Sequence, residues 1–176
     1  QNVIALLVPR GDYDSEKALL ERLEACDQVD YAMGLSNVEV MDGYMLTDAL
    51  TPRQFAEMTD LDYELVCLVY AAYAAEGEEY GRIVGGLDDY TVPLMDMFFF
   101  AYDKVEEGYV DLDEEEQADL DALYEQLSDA REQLLGEDYT RMLVSLDLPE
   151  EGEETFAFLQ TIHDEAERYY DAENVY

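Results

Sequence analysis

The chain has 176 residues, of which 45 are acidic and only 9 basic, for a net charge of −36. About half of its residues (49%) are apolar, which excludes a disordered acidic tail and supports one domain, or one domain carrying a large insertion. A field of that sign repels phosphates and anionic headgroups, which disfavours nucleic acid and anionic lipid surfaces as direct partners.

The chain opens with Val3-Ile4-Ala5-Leu6-Leu7-Val8 closed by Pro9, a short apolar run that reads as a buried strand. A polar loop from Arg10 to Asp14 leads into a predicted helix over Ser15–Asp27, capped by Asp14, with Leu19, Leu20, Leu23 and Cys26 as its apolar stripe. Val29–Leu35 is the expected returning strand. The first unit, residues 1–40, is therefore β-α-β.

Residues 41–137 read as a helical insertion. Thr51-Pro52-Arg53-Gln54 is a capping box with proline at the first helical position. Leu61–Glu76 is apolar on every side and is expected to be buried all round. Its longest unbroken apolar run, Leu65 to Ala75, falls short of the roughly 20 residues that a bilayer span needs. Gly77, Gly81, Gly85 and Gly86 lie in an acidic loop before a helix predicted over Thr91–Glu107. A further helix is predicted over Glu114–Leu135, with Asp113 and Glu116 forming its cap.

The last unit, residues 138–176, repeats the first. Met142 to Pro149 is a predicted strand in which Met142, Val144, Leu146 and Leu148 share a face. An acidic loop follows, then a helix predicted over Glu153–Tyr170 with Phe156, Leu159, Ile162, Ala166 and Tyr170 as its stripe. Asn174-Val175-Tyr176 opens a returning strand. Ser15 and Thr155 each lie six residues past a proline, and Leu19 and Leu159 ten. This weak repeat predicts an α+β fold: two β-α-β units in one split, ferredoxin-like sheet with both helices on one face. The start at Gln1 and the strand-like end at Tyr176 suggest a piece of a longer protein. No signal-peptide pattern opens it.

Residues that often carry chemistry are few. His163 is the only histidine, which leaves no histidine pair for a metal or a relay, and it lies beside an apolar stripe. Cys26 and Cys67 occupy core-facing positions with no basic neighbour in sequence to lower their pKa, so they read as buried thiols, with a disulfide between them left open. The run Asp111 to Glu116 lacks the glycine turn of a calcium loop and reads as a solvated helix start. Gly85-Gly86 is followed by Asp88 and Asp89 rather than by the Lys and Ser or Thr of a phosphate cradle. No catalytic, cofactor-binding or metal-ligating residue is assigned, and no enzymatic activity is expected. The remaining feature is Met95-Asp96-Met97-Phe98-Phe99-Phe100-Ala101-Tyr102. Successive helical residues point about 100° apart, so three consecutive phenylalanines cannot all face one core. Met95, Met97, Phe98, Phe99, Phe100 and Tyr102 are accordingly a candidate apolar contact surface for another subunit, the rest of the protein or an apolar substrate.

The arrangement resembles the first water-facing porter loop of the resistance-nodulation-division (RND) exporters, and more closely that of the MMPL-type branch of Gram-positive bacteria. The likeness is carried by Asn2 to Pro9 with the following helix, Val38 to Asp48, Leu50 to Phe55, and Tyr139 through to Tyr170. It implies an extracytoplasmic substrate-handling domain of a proton-driven membrane exporter of hydrophobic or amphipathic compounds. The implied partners are the protein's own transmembrane domain, a second porter loop, and a hydrophobic small molecule or lipid; a second copy of the chain is a further candidate. The implied location is the extracytoplasmic face of the cell membrane, and proton-relay residues would lie outside this segment. A secreted acidic protein-interaction module is the alternative.

Overall fold

The computed structural model describes residues 2–78, 81 and 86–176, so Gln1 and Gly85 lie outside the described residues. The fold is α+β. The chain divides into two compact units, Gln1–Val38 with Asp129–Tyr176, and Glu39–Ser128. That partition gives residues 129–137 to the first unit and residues 39–40 to the second.

In the first unit, β1 (Asn2–Pro9) leads through α1 (Tyr13–Glu24) to β2 (Val29–Met33), and β5 (Tyr139–Leu146) is followed by α6 (Glu153–Ala166). The sheet order is β1-β5-β2, with β5 antiparallel to both neighbours. The two ends of a β-α-β unit thus lie parallel with a strand from the other half between them, which is the split arrangement. Asn2 pairs with Leu146 and Pro9 with Tyr139. The inward face of β5 is Met142, Val144 and Leu146, spaced by two as the pleat requires. Leu19, Leu20 and Leu23 of α1 and Phe158, Ile162 and Ala166 of α6 close on that same face in one core. Between the two helices, on the solvent side, the Arg22 guanidinium is paired with the Glu165 carboxylate.

Several local expectations shift. Asp12, not Asp14, caps α1, accepting from the Ser15 backbone N–H at 3.0 Å and the Ser15 hydroxyl at 2.7 Å. Asp14 instead sits in the first turn, where a carboxylate suits the helix dipole. The stripe of α6 is Thr155, Phe158, Ile162 and Ala166, while Phe156 is 61% exposed. The last residues form a 3-10 turn (Ala172–Asn174) rather than a regular strand. Tyr176 nevertheless exchanges both backbone hydrogen bonds with Leu7, at 2.7 and 3.0 Å, on the side of β1 opposite β5.

The second unit holds a two-stranded ribbon, β3 (Ala49–Leu50) paired with β4 (Val92–Pro93), and the helices α2 (Pro52–Thr59), α3 (Tyr63–Glu76) and α4 (Leu94–Glu106). α5 (Glu114–Leu134) begins in this unit. The Thr51 box forms with both reciprocal bonds, Gln54 N–H to Thr51 Oγ1 and Thr51 N–H to Gln54 Oε1. Asp113 and Glu116 make the same exchange ahead of α5. α4 starts three residues later than expected because Thr91 to Pro93 are extended, and β4 takes two of them. No described helix is long and apolar enough to cross a membrane.

Candidate functional site

The aromatic run lies on α4, and its backbone start explains its placement. The first N–H groups of a helix lack internal acceptors. Here the Leu94 N–H donates to the Asp48 carbonyl at 2.8 Å and the Met95 N–H to the Leu46 carbonyl at 2.9 Å. Anchored this way, α4 turns Leu94, Met95, Met97, Phe98 and Ala101 into the core of the unit.

The three phenylalanines then separate by direction. Phe98 faces the core and is fully buried. Phe99 meets the Tyr124 ring of α5 edge-on at 5.9 Å, and Tyr102 stacks on the same ring at 4.1 Å. The Tyr102 hydroxyl donates to Asp121 at 3.0 Å; burial and that carboxylate push its pKa up to about 12. Phe100 meets Tyr73 of α3 edge-on at 5.2 Å. Three elements receive three rings, so the run needs no outside partner to cover it. Met95, Met97 and Phe98 are interior, and Phe99, Phe100 and Tyr102 are half-buried in ring contacts, rather than forming an open apolar face.

The open apolar surface is on α3. That helix is apolar all round, yet only Val66, Tyr70 and Ala74, four residues apart, are buried. Tyr70 is held by its hydroxyl, which donates to the Leu50 carbonyl at 2.9 Å, and by edge-on rings of Phe55 and Tyr90 at 6.0 Å each. Burial drives its phenol well above the ordinary range. The expectation that Leu61–Glu76 is buried on every side does not hold: Leu68 is 70% exposed. With Leu65, Val69, Ala72, Ala75 and Val110 it lines a groove of about 430 Å³, whose rim carries Glu76, Lys104 and Tyr109. Tyr109 is 76% exposed.

The groove's cation is already engaged. Lys104 Nζ lies 3.2 Å from Glu76 and 3.7 Å from Glu107, and 5.1 Å from the centres of both the Phe100 and Tyr109 rings. The Glu76 carboxylate chiefly holds its ammonium above the usual lysine range. Two carboxylates to one ammonium leave the rim negative, and the floor offers dispersion and water exclusion with no reactive group.

Other candidate chemistry stays dispersed. His163 is half-buried and lies 3.0 Å from Glu167, near Asp164, on the open side of α6. Those three groups are close enough to share an ion but are largely exposed. Cys26 and Cys67 are unbonded and half-buried rather than in the core. Burial, with Glu165 nearby, raises the Cys26 thiol, which keeps it protonated at neutral pH. A second depression of about 360 Å³ carries Asp60, Glu116 and Asp119, with Glu116 already serving the α5 cap. Leu65, Leu68, Val69, Ala72 and Ala75 were missed as a site because periodicity cannot tell a helix covered on all sides from one covered on one. Comparison of the chain with protein-family models, curated proteins and solved structures returns no match.

Proposed function

We propose that this chain is an extracytoplasmic substrate-handling domain of a proton-driven membrane exporter of hydrophobic or amphipathic compounds, resembling the porter loops of the RND superfamily. The observation that carries the reading is the split β-α-β sheet. Its two halves share β1 and β5 as neighbours, and Tyr176 hydrogen-bonds beside β1 in the antiparallel sense. Chain running on past Tyr176 would therefore leave beside the start of β1, which suits a domain tethered to a membrane at both ends. The role follows from surfaces that guide an apolar compound rather than from a reactive centre. In this reading the groove along α3 is where such a compound rests, an open apolar trough large enough for a small ligand.

The test is binding of the neutral fluorescent amine N-phenyl-1-naphthylamine, whose emission rises in apolar surroundings. The wild-type chain is expected to bind it, and Leu68→Glu to weaken binding by about tenfold or more, as loss of one apolar contact and gain of a charge require. Equal binding by both proteins would remove the groove from the account. The second reading, a secreted acidic interaction module, is favoured by the same exposed Leu68 and Tyr109, which a protein partner would also cover.

A further inference from the structure

Glu16 stands in the first turn of α1 with its side chain wholly buried, an uncommon place for a carboxyl group. Neither of its oxygens has a hydrogen-bond partner, and two further buried oxygens, Thr140 Oγ1 and the Tyr170 hydroxyl, are unpartnered as well. Buried polar groups are nearly always satisfied, so three such groups at one junction call for an explanation.

The three belong together. The Thr140 hydroxyl is near enough to favour charge on Glu16, although outside hydrogen-bond geometry. After burial, Glu16 is the main cause that raises the Tyr170 phenol. The groups facing Glu16 come from every neighbouring element: Arg10 and Asp12 from the loop before α1, Thr140 from β5, Tyr170 from beyond α6. The Arg10 charge favours ionisation only weakly, as the last of the causes acting on Glu16. Arg10 donates to the carbonyls of Gly136 and Glu137 at 3.0 and 3.2 Å, and Asp12 is committed to the Ser15 cap and adds repulsion. Burial first, then Asp12, push the Glu16 carboxyl up to about 7.

Tyr170 ties this junction to the segment that returns to the sheet. Thr140 pairs with Val8 in β1 and points to the core face; Tyr139, on the opposite face, meets the Tyr176 ring edge-on at 5.5 Å. Beyond α6 the chain is anchored by Tyr170, by buried Val175 and by the Tyr176–Leu7 bonds.

We propose that Glu16 is a proton-operated latch: when neutral it keeps α1, the start of β5 and the stretch after α6 packed as one junction, and when ionised it loosens residues Tyr169 to Tyr176 from β1. A neutral carboxyl tolerates the dry site, having only one proton to place. The carboxylate needs several donors, and supplying them means admitting water where Tyr170 is seated. The latch is independent of what the α3 groove binds.

Amide hydrogen exchange at Leu7 and Tyr176, corrected for the intrinsic pH dependence of exchange, tests it. Between pH 5.5 and 8.5, wild-type protection is expected to fall by about tenfold or more, while Glu16→Gln keeps equal protection at both values. Flat wild-type protection, or an equal fall in Glu16→Gln, would overturn the latch. Carbon NMR of the Glu16 carboxyl in the wild-type chain needs no variant to fold. A midpoint near neutrality supports the latch, and one in the ordinary carboxylate range overturns it.

Discussion

Phe98→Ala destabilises the Glu39–Ser128 unit by about 3–5 kcal/mol, the largest effect expected from a single side chain here. Phe98 is fully buried on α4, with the Phe99 ring edge-on at 5.6 Å and the Tyr102 ring stacked at 6.2 Å. Truncation removes the transfer free energy of the ring and leaves a cavity that rigid neighbours fill only in part. In a chain of this size that corresponds to a fall in melting temperature of roughly 6–20 °C. Phe156→Ala is the control. Phe156 is also aromatic and also helical, but it is largely exposed on α6, and its loss should change stability by no more than about 0.5 kcal/mol. Thermal unfolding of the two variants checks the pair, and similar losses would mean that α4 is not packed as described.

Glu16→Gln is the second large effect, and its sign depends on pH. Below the ordinary carboxyl value of 4.5, Glu16 is neutral whether the chain is folded or unfolded, so it contributes no pH-dependent penalty. As pH rises toward about 7, the unfolded chain ionises while the folded one resists, and wild-type stability falls. Above that value the penalty is complete, at up to about 3 kcal/mol for a shift of this size. Glutamine does not titrate and escapes it. Urea unfolding of both proteins at pH 4 and pH 8 should therefore show glutamine more stabilising, relative to wild type, at the higher value. Subtracting one protein from the other cancels the general repulsion among the remaining carboxylates. A difference that is the same at both pH values would place the Glu16 carboxyl in water.

Much of the first unit was legible in its residues, for identifiable reasons. The alternation of Met142, Val144 and Leu146 is a period signal that survives into β5, although that strand runs Tyr139–Leu146 and so leaves Leu148 and Pro149 beyond its end, unlike Pro9 in β1. The Thr51 and Asp113 boxes depend only on residues three apart and were equally readable. Choices among near-equivalent neighbours were not. Asp12 and Asp14 both stand at the start of α1, and only backbone geometry selects Asp12 as the cap. Phe156 and Phe158 are two residues apart, and which one faces inward depends on how α6 lies over the sheet. The α4 run stood as a candidate contact surface because three rings cannot all share one core. The second and third are instead taken up by α5 and α3, a tertiary outcome that no local pattern encodes. The same limit hid the groove. α3 is apolar on every side, and only assembly decides which side stays open. Glu16 was hidden among 45 acidic residues, since nothing in its immediate neighbours separates a buried carboxyl from a solvated one.

The exporter reading rests on the split sheet, in which Tyr176 pairs with Leu7 in the antiparallel sense, and its most direct test is the natural gene on either side of this chain. A porter domain requires an apolar helix of about 20 residues shortly before Gln1 and another within a few dozen residues after Tyr176. At least one membrane helix should also carry an ionisable residue able to couple proton flow. The account predicts both flanking spans. A gene that encodes a cleavable signal and no spanning segment would contradict it and leave the secreted acidic interaction module in its place.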